Sequence, residues 1–157
     1  MSIVSAEIIA TFPSFKEFAP SETKALATLA EEERYKAGDF IFYEGGSATK
    51  LYLLLEGRVE MMVATNADGS HREVVMTVGP GEVFAWSSLV EPFELTASAR
   101  CATAVRTVAI PASGVRALAE ISCPLGFRLM QKACQVASAR LRATRVQLLS
   151  TVRPVAT

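Results

Sequence analysis

The residues best equipped for chemistry in this 157-residue chain lie together between Gly79 and Thr103, in the stretch GPGEVFAWSSLVEPFELTASARCAT. Pro80 presets a turn φ, and the glycines on either side allow backbone angles that other residues avoid, so the stretch opens on a tight corner between strands. Phe84-Ala85-Trp86-Ser87-Ser88-Leu89 is too short for a full helix but long enough for one helical turn. The unpaired N–H groups of such a turn, beside the hydroxyls of Ser87 and Ser88, would make a seat for an anion. The plainer reading has the serines capping the turn and Trp86 filling a core. After a proline-interrupted loop, Thr96 to Thr103 is a run of small, alternating residues that carries Arg100.

Catalysis has little else to draw on. A metal centre inside a rolled sheet would need two or three histidines and a carboxylate, whereas the chain has the single His71, beside the tip Asp68-Gly69-Ser70. No Gly-x-Ser-x-Gly elbow and no phosphate-binding glycine loop with lysine is present, and His71 has no Cys or Ser partner on a neighbouring motif. Glu44, Glu56, Glu60 and Glu73 are spread over turns and strand faces and read as solvated carboxylates. The expectation is a non-catalytic chain with no metal.

Charge and composition narrow the partners. The 16 basic and 16 acidic residues balance, so no whole-protein field draws the chain to nucleic acid or to an anionic membrane. No apolar run approaches the ~20 residues of a membrane span, and the N-terminus has no basic start, which predicts a cytoplasmic protein. Cys101, Cys123 and Cys134 are odd in number and far apart, as expected for reduced thiols serving as small core residues.

The elements that must hold the Gly79–Thr103 stretch follow from periodicity. A loose apolar stripe from Ile3 to Phe18, broken at Pro13, predicts helix, and Pro20 starts a second helix through Leu29, closed by the solvated run Glu31-Glu32-Glu33. From Arg34 to Ile110 short strands and turns take over. Phe40–Tyr43, Leu51–Leu55 (buried on both faces), Val59–Val63, Glu73–Val78 and Val105–Ile110 read as strands, and Asn66-Ala67-Asp68-Gly69 as a hairpin tip. Strands at this spacing predict a rolled or sandwiched antiparallel sheet. Pro111 begins a short helix through Leu118, and Pro124 a long one to about Val152. Along it Met130, Cys134, Ala137, Leu141, Thr144 and Leu148 recur at three and four, while Arg128, Lys132, Arg140, Arg142 and Arg145 are placed mostly on the remaining surface. A helix that long outruns one roll, so Met130, Ala137, Leu141 and Leu148 are expected to meet a second copy of the chain.

Three motifs in order, Tyr35-Lys36-Ala37-Gly38-Asp39-Phe40-Ile41-Phe42-Tyr43-Glu44-Gly45, Leu51-Tyr52-Leu53-Leu54-Leu55-Glu56-Gly57-Arg58-Val59 and Gly79-Pro80-Gly81-Glu82-Val83-Phe84, resemble the cyclic-nucleotide-binding domain of bacterial transcription regulators and of eukaryotic kinases and channels. The resemblance covers nearly the whole chain. It implies a mainly β fold, an eight-stranded β-roll of jelly-roll type, over residues 34–110. N-terminal helices (1–33) and C-terminal helices (111–157) flank the roll in a single domain, and the last helix supplies the dimer interface. Because the chain stops at Thr157, without the regulators' helix-turn-helix, the sensor half alone and no direct contact with nucleic acid are expected.

The ligand cassette departs from the family. There, a Gly-Glu pair after the Phe binds the ribose, and an Arg ahead of Ser/Thr-Ala neutralises the cyclic phosphate. Aligned on Phe84 and on Thr96-Ala97, the Gly-Glu positions fall on Ala85-Trp86 and the Arg position on Leu95. Both charged contacts are gone, and an anion buried unpaired loses several kcal/mol. The resemblance leaves Thr96 at the phosphate-contacting hydroxyl, Ser87 and Ser88 at the cassette turn, Thr144 at the base-contacting position of the last helix, and Arg100 as the nearest cation. Trp86 is expected either to stack on a planar ligand or to plug the emptied pocket. The implied ligand is a nucleotide-like or neutral planar small molecule. The alternative is a ligand-free module that presents its helices to a partner protein.

Overall fold

The computed structural model describes residues 3–152. Helix α1 (Ala6–Ala10) is capped by Ser5, whose hydroxyl accepts from the Ile8 N–H at 3.3 Å, and Pro13 ends that stretch in a single 3-10 turn through Phe15. Helix α2 (Pro20–Leu29) starts on its proline, and the Glu22 carboxylate accepts from the Ala19 N–H at 2.7 Å.

The strands are β1 (Glu31–Tyr35), β2 (Phe40–Phe42), β3 (Lys50–Glu56), β4 (Val59–Ala64), β5 (Arg72–Val78), β6 (Val83–Phe84), β7 (Ser98–Cys101) and β8 (Val105–Pro111). They pair antiparallel in two four-stranded sheets, ordered β1-β8-β3-β6 and β2-β7-β4-β5. The eight-stranded roll expected from the sequence is therefore the fold.

The roll begins earlier than the sequence expectation of residue 34. Glu31-Glu32-Glu33 is not the solvated end of α2 but the first half of β1, in register with Thr107 to Ala109 of β8. Cations facing the strand make three consecutive carboxylates tolerable there. Arg106 and Arg34 bond Glu32, and the Lys50 Nζ donates to Glu33 at 2.5 Å. Arg106 and Arg34 hold the Glu32 carboxyl below the usual carboxylate range.

Strand β3 divides the interior in two, as its unbroken apolar run predicts. Leu51 and Leu53 face a layer built with Ile9, Phe15, Leu26, Val108, Ile110, Leu125 and Leu129, while Tyr52 and Leu54 face the inside of the roll with Val59, Phe84, Ala99 and Cys101. Between β3 and β4 the chain turns at Gly57, where φ is +96° and a Cβ would sit 2.2 Å from the Ala104 carbonyl oxygen. Only glycine fits that corner.

Helices α3 (Ala112–Ile121) and α4 (Cys123–Val152) follow the sequence expectation. On α4, Leu125, Leu129, Ala133 and the half-buried Val136 face the helix layer, and Arg128 donates to the buried Glu22 at 2.6 Å, tying α4 to α2. Of the three cysteines only Cys101 is in the core, and burial pushes its thiol up to about 11. Cys123 opens α4 and Cys134 lies on its outer stripe, so both are exposed.

Candidate functional site

A cavity of about 530 Å³ lies where α4 passes over the second sheet. Met61 and Val63 of β4 and Val75 and Met76 of β5 line one side, Thr96 and Ala97 close one end, and Ala139, Arg140, Ala143, Thr144 and Gln147 of α4 line the opposite side. Its size is that of a small-molecule site, a few hundred to a thousand Å³. Three of the residues singled out from the sequence, Thr96, Ala97 and Thr144, come together here although they are far apart in the chain. The Thr144 hydroxyl donates to the Arg140 carbonyl at 2.8 Å, which leaves its lone pairs to accept from a ligand.

The cassette residues are distributed differently from the sequence expectation. Phe84 is fully buried inside the roll and stacks on Tyr52 with ring centroids 5.1 Å apart. Ala85 and Leu95 pack in the same interior. Trp86 neither lines the cavity nor plugs it. Ala85 adopts a left-handed φ of +67°, and the chain then delivers Trp86 to the other side of β3, into the helix layer. There the indole N–H donates to the Val83 carbonyl at 3.2 Å.

The predicted helical turn forms as a 3-10 turn over Trp86–Leu89, but the cavity lining does not include Ser87 or Ser88. Ser88 is wholly buried with its hydroxyl unpartnered, and its carbonyl accepts from Arg116 at 2.5 Å. Arg100 is not available as a replacement cation. Strand alternation turns Ala99 and Cys101 inward and Arg100 outward, where it donates to Glu60 of β4 at 2.7 Å.

Sequence reasoning missed Arg140, which it left on the helix surface. The spacing that puts Leu125, Leu129, Ala133 and Val136 on the inner face continues to Arg140, so the guanidinium lies over the cavity. Its Nε is buried and meets no acceptor among the described residues, and burial lowers its pKa from the ordinary arginine value. It remains a cation at neutral pH. The apolar wall of Met61, Val63, Val75 and Met76 was also missed, because the sequence marks these residues only as strand core.

The exposed stripe of α4 includes Phe127, Met130, Leu141 and Leu148, which are 69%, 37%, 54% and 58% exposed, and Ala137 between them is exposed as well. Among the described residues, no helix is long and apolar enough to cross a membrane, and no three His, Cys, Asp or Glu side chains group as metal ligands.

Comparison with known proteins agrees with this geometry. The family model for the cyclic nucleotide-binding domain matches residues 32–122. The cyclic AMP receptor protein of Thermus thermophilus is 34% identical over 87 residues, covering 55% of this chain and 39% of that protein, so the chain spans well under half of this curated relative. Among solved structures, one from Geobacter metallireducens GS-15, described as a cyclic nucleotide-binding protein, superimposes with a TM-score of 0.78 at 33% identity over 88% of this chain and 98% of that one. The regulatory subunit of a cyclic-AMP-independent protein kinase A from Trypanosoma cruzi, bound to guanosine, shares the fold with a TM-score of 0.74 at 18% identity, over 94% of this chain and 50% of that one. On the family match across its roll and on its eight-stranded architecture, the chain belongs to the cyclic nucleotide-binding domain family.

Proposed function

We propose that the chain is a non-catalytic sensor or regulatory domain whose ligand occupies the cavity between β4, β5 and α4, and that cyclic AMP and cyclic GMP are not its ordinary ligands. The observation that carries this reading is the position of Leu95. It is 6% exposed inside the roll, on the residue where the resemblance calls for the phosphate-binding arginine. Phosphate placed there would be buried without a cation. The absent ribose-binding carboxylate points the same way, since Ala85 and Trp86 offer no acceptor side chain and Trp86 faces the helix layer. Beside the Arg140 and Gln147 side chains, the cavity offers an apolar wall with the hydroxyls of Thr96 and Thr144. Such a lining favours a planar, neutral or weakly charged molecule, a nucleoside-like body included. The guanosine-bound protein of the same fold illustrates that a base can be held without a cyclic phosphate.

The signal would pass through α4, which forms one wall of the cavity and carries the outer stripe Phe127, Met130, Ala137, Leu141 and Leu148. We propose that this stripe forms a parallel homodimer seam. The exposed stripe of apolar residues also fits a second reading, a module that offers it to a partner protein.

Native mass spectrometry of the purified protein against a metabolite pool tests the sensor reading. Retention of a small planar molecule is expected. A protein that retains nothing from the pool, and whose cavity stays empty at millimolar nucleosides, would favour the ligand-free module.

A further inference from the structure

Arg140 is a cation at the cavity wall that meets no counter-charge among the described residues, and the function proposed above does not use it. Its Nε is buried with no acceptor, and it belongs to no salt bridge among the described residues. The lining of the cavity contains no carboxylate. Helix α4 can offer none, because all 16 acidic residues of the chain lie at or before Glu120. A half-buried guanidinium whose Nε–H is shut off from water without a partner bears a cost at that N–H, and its charge is open to an incoming anion. Opposite Arg140, the thioethers of Met61 and Met76 and the branched side chains of Val63 and Val75 present no polar group. Methionine adapts its shape to flat bodies laid against it.

We propose that the cavity takes a small amphipathic acid, a flat apolar body with a single anionic group, whose charge pairs with Arg140 while its rings lie on Met61, Val63, Val75 and Met76. The proposal rests on the cavity's being the ligand site and adds where the ligand carries its charge. The anion goes to Arg140 and not to Thr144, because the Thr144 proton is already given to the Arg140 carbonyl and the lone pairs left over repel an anion. A cyclic nucleotide seated as the resemblance implies would place its phosphate at Leu95, which packs inside the roll and does not line this cavity, and not at Arg140.

Fluorescence titration of the full chain with two dyes sharing one ring system tests this. They are 8-anilinonaphthalene-1-sulfonate, which carries one anion, and N-phenyl-1-naphthylamine, which carries none. Arg140→Met is expected to lower the ratio of sulfonate to neutral-dye affinity by about tenfold, the loss of one charge-assisted contact. Arg142→Met, which removes the same charge from an exposed position of the same helix, is expected to leave the ratio unchanged. If Arg140→Met fails to fold by circular dichroism, Arg140→Gln gives the same comparison with the length and a donor kept. A ratio unchanged by loss of Arg140, or lowered equally by loss of Arg142, overturns the assignment while leaving the cavity a ligand site if the neutral dye binds. If neither dye binds, both readings fall together.

Discussion

Trp86 shows how one backbone angle reassigns a side chain. Read from residue types, it stood where a family member keeps its ribose-binding glutamate, and both stacking on a ligand and plugging the pocket were open to it. The left-handed φ of Ala85 instead sends the indole to the helix layer, where it is 4% exposed. Trp86→Ala should therefore behave as a core truncation, costing about 3–5 kcal/mol. By differential scanning calorimetry that is a melting temperature about 10 °C lower. A loss of only a degree or two would place the indole in an open cavity instead. Arg140 illustrates the opposite failure. An arginine on a long helix reads as surface, and the balanced total charge concealed that Arg128, Lys132, Arg140, Arg142, Arg145 and Arg153 follow the last carboxylate, Glu120. That asymmetry was visible in the sequence, and counting charge by segment would have drawn attention to this helix.

At the scale of the element, the strands and corners were the legible part, because glycine and proline act locally. Gly57 marks its corner in the sequence as clearly as in the fold, and the approach of the Ala104 carbonyl gives it a measurable consequence. Gly57→Ala forces a methyl onto a backbone oxygen at a positive φ, so about 3 kcal/mol of stability should be lost by chemical denaturation. A cost below about 0.5 kcal/mol, the level of an ordinary surface change, would mean that the β3–β4 corner is looser than described. Strand β1 was not legible, since three glutamates in a row contradict strand propensity, and besides the local Arg34 the cations that make the pairing acceptable, Arg106 and Lys50, are distant in sequence. Its pH dependence follows from Glu32. The folded pKa lies below the unfolded value of ~4.3, so the stabilisation is complete above that value and is lost as pH falls through the folded pKa. Thermal melts from pH 7 down to pH 3 should fall more steeply for the natural chain than for Glu32→Gln. Parallel curves would assign the acid sensitivity to other carboxylates.

For the whole molecule, α4 joins cavity to seam. Its inner face runs from Leu129 through Ala133 to Arg140, its outer face from Met130 through Ala137 to Leu148, and Thr144 lines the cavity on the outer stripe's own spacing. The outer face accounts for the proposed homodimer, and Leu141→Glu with Leu148→Glu should convert a dimer to a monomer in sedimentation velocity at tens of micromolar. A natural chain that sediments as a monomer there, unchanged by the pair of substitutions, would remove the seam. The central claim is the proposal that cyclic AMP and cyclic GMP are not the ordinary ligands, because Ala85, Trp86 and Leu95 stand where the resemblance implies the charged contacts. Isothermal titration calorimetry with cyclic AMP and cyclic GMP tests it most directly. The expected result is no binding tighter than about 100 μM, a ceiling of ~5.5 kcal/mol. Micromolar binding of either nucleotide to the natural chain would contradict the account, showing that a cation from outside the cassette has taken over the phosphate.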